Sequence, residues 1–303
     1  AYRELDIEID KILYKNHPYV KWTEYGEKNI EIVSIEELKQ FHKKGYYPNN
    51  STLAIAGDLP KEALSIIKKY FGKYEKGNNT KVELPLVENQ EKIEILYKFS
   101  PENKNKEDPN HTSAELSIYF DVFTNKLSEV PLLKLLSFLI AGDMGSKLFK
   151  SISLGNGLVY SIHCSYVGEK YNGKFLISAD VPSDKIKESF EIIFKELEKI
   201  KKEGISEKEI NREKLKRMVP FQELLEKNNR ITDIISGELN EESCEYNRIL
   251  DIFSKPSKEQ IDALAKKYIP SMKDGKYLVV VRDPISKGEN ELIQIKNLIG
   301  GEE

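Results

Sequence analysis

Leu5, Ile9 and Leu13 recur at four-residue spacing, and that pattern predicts a helix over Tyr2–Tyr14. Ser34 is followed three positions later by Glu37, a capping box that opens a helix from Ile35 to about Lys44. Tyr47-Pro48-Asn49-Asn50 is turn chemistry, and the run Thr52–Ala56, closed by Gly57, predicts a buried strand. Pro60 starts the next helix, with Leu64, Ile67 and Phe71 on one face and Gly72 past its end. A strand over Lys92–Phe99 leads into the polar run Ser100–His111, expected to be an exposed loop.

The second half is more regular. Leu116, Ile118 and Phe120 alternate with Ser117, Tyr119 and Asp121, the period of a half-buried strand. Pro131–Ala141 is apolar almost all round, so it predicts a helix buried on most sides. A turn at Gly142–Gly145 and a short helix over Ser146–Ile152 follow. Gly157–Tyr166 and Gly173–Val181 form a predicted strand pair. The helix Asp184–Lys202 carries an apolar stripe at Ile186, Phe190, Ile193, Leu197 and Ile200 against a charged opposite face. Ser206 with Glu209, and Ser257 with Gln260, are two further capping boxes. Tyr277–Val281 reads as a buried strand. Strands alternating with helices, with hairpin-like pairs among them, predict α+β layers in which each sheet is covered by helices.

Composition narrows the function classes. The chain has 303 residues, 39% hydrophobic and 32% charged, with a net charge of −3. That balance fits a folded chain with a polar surface and gives no basic excess for nucleic acid or an anionic membrane. The longest apolar stretch, Val130–Ala141, is broken by Lys134 and falls short of the roughly 20 residues a membrane helix needs. Two cysteines, Cys164 and Cys244, point to a reducing compartment or a disulfide-independent fold. The first residue is Ala1 rather than Met, so residues upstream are expected to be missing.

The tests for chemistry are mostly negative. A zinc hydrolase helix needs two histidines one turn apart with a carboxylate between them. No two of His17, His42, His111 and His163 lie within five residues, and His-x-x-Glu-His is absent. The phosphate-cradling glycine loop and the Gly-x-Ser-x-Gly elbow are absent too. Neighbours in a strand point to opposite faces, so Cys164 is read as buried and His163 as a surface side chain. Basic-aromatic runs such as Lys43-Lys44-Gly45-Tyr46-Tyr47 are read as lysines snorkelling on amphipathic helices. No catalytic residue and no metal ligand is assigned within the chain.

A set of short motifs in fixed order then resembles a known family. His17-Pro18-Tyr19, Gly26, Ile30, Ser34-Ile35-Glu36-Glu37-Leu38, Phe41-His42, Tyr46-Tyr47-Pro48-Asn49-Asn50 and Leu53-Ala54-Ile55-Ala56-Gly57-Asp58 follow one another. They are similar to the segment after the zinc site in the insulinase/pitrilysin family of zinc metallopeptidases, which includes the mitochondrial processing peptidase. Gly145-Ser146-Lys147-Leu148-Phe149, Gly157-Leu158-Val159-Tyr160-Ser161, Gly173-Lys174-Phe175 and Gly204-Ile205-Ser206 resemble that family's second subdomain.

The resemblance implies two related α+β subdomains, each a mainly antiparallel sheet covered by helices, with the first truncated. The implied division is 1–85 for the rear of a first subdomain, 86–112 for a linker with its leading strand, and 113–303 for a complete second, inactive-type subdomain. It implies a half-shell that closes with a second half-shell, on the same or another chain, around a peptide or unfolded protein. A homodimer is a further expectation. Zinc belongs to the parent protein, with none expected on this chain, because the histidine motif and the third ligand both align before Ala1. Glu4 and Glu8 are read as surface carboxylates. The family's tyrosine, used with an arginine to hold substrate or the developing oxyanion, matches Tyr160, whereas the arginine aligns with Ser153, which supplies no cationic fork. The implied function is the non-catalytic, peptide-holding portion of a zinc metalloendopeptidase, inactive alone. The alternative is an inactive partner subunit or assembly scaffold of a heteromeric peptidase.

Overall fold

Five of the alternating segments assemble into one sheet. Its strands are β1 (Ile93–Phe99), β2 (Ser113–Asp121), β3 (Ser161–Glu169), β4 (Asn172–Pro182) and β5 (Tyr277–Asp283), in the order β1-β5-β2-β4-β3. All pairings are antiparallel except β1 with β5, which is parallel. The computed structural model describes residues 2–20, 27–77, 83–99, 113–124, 126–224, 226–239, 256–284 and 288–300. The predicted loop Ser100–His111 and Cys244 lie outside them.

One face of the sheet is apolar along most of its length. Leu116, Ile118 and Phe120 of β2, Phe175, Ile177 and Ala179 of β4, and Tyr277, Val279 and Val281 of β5 share one buried cluster. Four helices cover it: α5 (Val130–Ala141), α6 (Ile186–Glu203), α9 (Lys258–Tyr268) and α10 (Gly288–Ile299). α5 is buried nearly all round and α6 buries its predicted stripe. Each such side chain contributes about 1.5–3 kcal/mol on burial, so this cluster dominates the stability of the fold. Asp283, fully buried at the end of β5, ties it together. It accepts hydrogen bonds from Tyr97 Oη of β1 (3.1 Å), Ser183 Oγ after β4 (2.8 Å) and the Gly288 N–H that opens α10 (2.6 Å).

The opposite face is half covered, by a helix from the far end of the sequence. α1 (Tyr2–Tyr14) lays Leu5, Ile9 and Leu13 on Leu278 and Val280 of β5, flanked by Leu96 and Tyr119. Arg282 anchors the contact, bonding to Asp6 of α1 and, at 3.2 Å, to Glu115 of β2. Lys174, buried in β4, pairs with Asp121 at 2.8 Å and donates to the Leu13 carbonyl at the end of α1.

Between α1 and β1 along the chain come α2 (Glu27–Ile32), α3 (Ile35–Gly45) and α4 (Ala63–Phe71), and α8 (Asn228–Leu239) precedes α9. The predicted capping box opens α3: Glu37 N–H donates to Ser34 Oγ (3.2 Å) and Ser34 N–H to the Glu37 carboxylate (2.8 Å). The predicted strand Thr52–Gly57 is not formed. That segment is irregular, and Leu53 and Ile55 are exposed to 50% and 39%. A strand needs a neighbour for its backbone groups, and no described residue pairs with this one. For the same reason α3 and α4 bury no residue, and Leu64 and Phe71, on the predicted apolar face of α4, are exposed, as is Phe41 of α3.

Candidate functional site

Alternation sends every second residue of the sheet to the face that α1 only partly covers. The register sets these residues in rows. Ser161 of β3, Asp180 of β4, Glu115 of β2, Arg282 of β5 and Lys98 of β1 lie side by side in one row. His163, Ser178, Ser117, Val280 and Leu96 form the next. The β5–β1 side of each row is covered by α1, where Lys98 also pairs with Glu4 at 3.6 Å. The β3–β4 side is polar: Ser161 Oγ donates to Asp180 (2.6 Å), and Ser117 Oγ to Glu115 (3.2 Å), with Ser178 Oγ 3.4 Å away. Tyr119 sits where the two sides meet. Burial, with a smaller push from the Glu115 charge, raises its phenol to about 12 against the pull of Arg282, so it stays a neutral hydroxyl. A cleft of about 200 Å³ opens there, between Asp6, Asp10 and Tyr14 of α1 and Tyr119, Lys174 and Leu176 of the sheet.

Among the described residues β3 is an edge strand, paired with β4 alone. Tyr160 stands immediately before it and is 83% exposed, its N–H reaching the Asp180 carbonyl at 3.4 Å. Sequence alignment with the family set Tyr160 against Ser153. Ser153 lies in a half-buried π-helical turn, Phe149–Leu154, where the sequence predicted an ordinary short helix over Ser146–Ile152. The Ser153 carbonyl accepts the Gly157 N–H at 2.8 Å, so the turn leads directly into the segment carrying Tyr160.

The Gly145-Ser146-Lys147 motif has a local reason. α7 (Glu207–Leu224) docks onto it: Arg212 donates to the Gly145 carbonyl (2.7 Å), Lys216 pairs with Asp143, and Lys147 pairs with Glu209 (2.9 Å). A Cβ at position 145 would lie 2.9 Å from the Arg212 guanidinium, so only glycine fits without a shift. Burial pushes the Glu209 carboxyl up, but hydrogen bonds from Ser206 and Lys147 outweigh it and hold the group down at about 2.

Among the described residues no three His, Cys, Asp or Glu side chains gather in a way that could hold a metal ion. Glu4 and Glu8 are exposed, as read from the sequence. Cys164 is buried on the helix-covered face and its thiol is pushed up by burial, while His163 is exposed on the other face. No described helix is long and apolar enough to cross a membrane. Sequence reading missed the Glu115–Arg282–Asp6 cluster. Its one visible signal was a charged residue, Arg282, ending an otherwise apolar strand.

A family model described as the peptidase M16 inactive domain matches residues 33–216, more than half of the chain. An uncharacterized zinc protease, YmxG, of Bacillus subtilis (strain 168) is 23% identical over 207 residues, covering 68% of this chain and 47% of its own length. The chain thus spans about half the length of that curated relative. Among solved structures, a peptidase M16 inactive domain from Pseudomonas fluorescens superposes with a TM-score of 0.75 at 18% identity, over 91% of this chain and 64% of that one. The first half of the periplasmic protease PqqL from Escherichia coli gives 0.72 at 15% identity, over 100% and 67%. A chain of complex III2 from Candida albicans gives 0.75 at 14% identity, over 98% and 70%. At these identities the structural likeness establishes the fold.

Proposed function

We propose, from the premise that this chain belongs to the peptidase M16 inactive-domain family, that it forms chamber wall and holds peptide for a zinc metalloendopeptidase whose catalytic ions lie elsewhere. The observation that carries the reading is the open edge of β3, with the exposed Tyr160 at its start and a polar sheet face beside it. An extended peptide can add to such an edge through backbone hydrogen bonds, which bind with little demand on sequence. Tyr160 would pack on that peptide, supplying a broad ring and a hydroxyl at one end. The described residues do not fit a zinc ion, so no hydrolytic step is derived from them.

In this reading residues 1–85 complete a first subdomain, 86–112 link it, and 113–303 form the second. The exposed apolar faces of α3 and α4 are the surface a second half-shell would cover, whether on the same chain, on another, or on a second copy. Light scattering across a concentration series tests the homodimer; a strictly monomeric chain would remove it.

The test of the peptide-holding role is fluorescence anisotropy with an unstructured labelled peptide, on a sample whose zinc content is measured. Weak binding without cleavage is expected, reduced about tenfold in Tyr160→Ala, the order of one anchoring aromatic contact. Equal binding by wild type and Tyr160→Ala would overturn the role of Tyr160. Stoichiometric zinc with cleavage would overturn the non-catalytic reading. Ser153, in place of a cation, favours the second reading, an inactive partner subunit or assembly scaffold. That reading predicts no peptide affinity but stable capture of a separate zinc-bearing chain.

A further inference from the structure

The His17-Pro18-Tyr19 motif is not used by the peptide-holding surface, yet His17 is built into the fold with unusual completeness. It follows α1 and is only 6% exposed. Its Nδ1 accepts the Tyr19 N–H at 3.2 Å, and its Nε2 lies 3.0 Å from the Pro85 carbonyl. A peptide N–H can only donate and a carbonyl can only accept. The ring is therefore neutral, with its hydrogen on Nε2. The Tyr19 ring stands edge-on at 4.3 Å and the Tyr171 ring lies at 6.0 Å.

Three chain segments meet at this imidazole. One is the end of α1. The second is residues 83–92, the strap that joins the first half of the chain to β1. The third is the β3–β4 turn, which carries Tyr171. Beside the ring, Val87 N–H donates to the Tyr171 carbonyl at 3.0 Å. Lys15 donates to the Asn89 carbonyl at 3.1 Å and pairs with Glu88 and Glu91, at 3.6 and 3.4 Å.

We infer that His17 is a protonation-controlled latch on the strap 83–92: the neutral ring holds it closed, and a proton added at Nδ1 releases it. The added N–H would face the Tyr19 N–H, setting one buried donor against another. The ionisable neighbours do not relieve that conflict. On its own segment they are Tyr14, Tyr19 and Lys15. On the strap they are Glu83, which is exposed, Glu88 and Glu91, already engaged by Lys15, and Lys92, paired with Glu94. On the turn they are Tyr171 and Lys170, the latter over the Tyr171 ring at 5.5 Å. Release frees the strap that leads into β1 from the end of α1 and from the β3–β4 turn, while α1 keeps its own contacts with β5. The inference does not depend on the peptide-holding reading.

Two measurements on the unmodified chain test it. Imidazole nitrogen shifts at pH 7.5 should report the Nε2–H tautomer for His17. Hydrogen exchange at the Tyr19 and Val87 amides, corrected for intrinsic chemistry, should show at least tenfold more opening at pH 5.0 than at 7.5. His17→Asn keeps an acceptor near the Nδ1 position and cannot titrate, so it should abolish that difference. An Nδ1–H tautomer, unchanged opening between the two pH values, or the same rise in His17→Asn would each overturn the latch. If His17→Asn does not fold, the two wild-type measurements decide alone.

Discussion

Leu5→Ala tests the contact that joins the front of the chain to the sheet. Leu5 is 1% exposed, packed by α1 against Leu278 and Val280. The substitution removes three carbons from that contact, worth about 2.4 kcal/mol at roughly 0.8 kcal/mol each. The space left between a helix and a sheet closes only in part, which raises the expected cost to about 2.5–4 kcal/mol. Leu38→Ala is the control: Leu38 is also a helical leucine, but it is 54% exposed on α3 and should cost under about 0.5 kcal/mol. Urea unfolding followed by far-ultraviolet circular dichroism measures both, and the midpoint of thermal unfolding should fall by about 5–12 °C for Leu5→Ala alone. A cost below about 1 kcal/mol for Leu5→Ala would refute the docking of α1 on β5. An equal cost for Leu38→Ala would show instead that the α3 face is covered in solution.

Two further predictions concern ionisation. The folded chain holds Glu209 at about 2, below its ordinary value of roughly 4.3, so the unfolded chain binds more protons as the medium is acidified. Its stabilising contribution is complete above about pH 5 and is lost as pH falls toward 2. Glu209→Gln should therefore flatten the acid limb of a stability–pH profile by about 1 kcal/mol, and an unchanged limb would contradict the Ser206–Lys147 account. Cys164 is buried and its thiol is pushed up by burial, so a thiol reagent at neutral pH should label it only on unfolding. Rapid labelling of native Cys164, located by peptide mapping, would contradict its placement.

Local signals were legible in the sequence and non-local ones were not. The capping boxes at Ser34, Ser206 and Ser257 were readable because donor and acceptor lie three residues apart, and all three form. The α6 stripe and the β2 alternation were readable because periodicity itself encodes a buried face. The run Thr52–Gly57 has the same apolar character as β5, yet only β5 finds strands on both sides. Composition cannot report whether a neighbour exists. The site shows the same division. Tyr160 and the Gly145 motif could be found by resemblance, whereas the Asp6–Arg282 contact joins residues 276 positions apart, and only the charge at the end of an apolar strand hinted at it. The tautomer of His17 was equally hidden, since it is set by Pro85, 68 positions away.

The sheet order carries a consequence for how the chain is made. β5, the last of the described strands, lies between β1 and β2, both emitted from the ribosome far earlier. At about 5–20 residues per second, the partners of α1 on β5 follow it by roughly 13–55 s. During that interval β1 has no partner strand, β2 is left as an edge, and the Leu5-Ile9-Leu13 stripe lacks the part of its cover that β5 supplies. Folding of this chain therefore cannot proceed as a front moving from the N-terminus. It waits for the insertion of one late strand, and any product released before Tyr277 displays two uncompleted edges and an orphaned helix, a conspicuous substrate for chaperones and quality-control proteases.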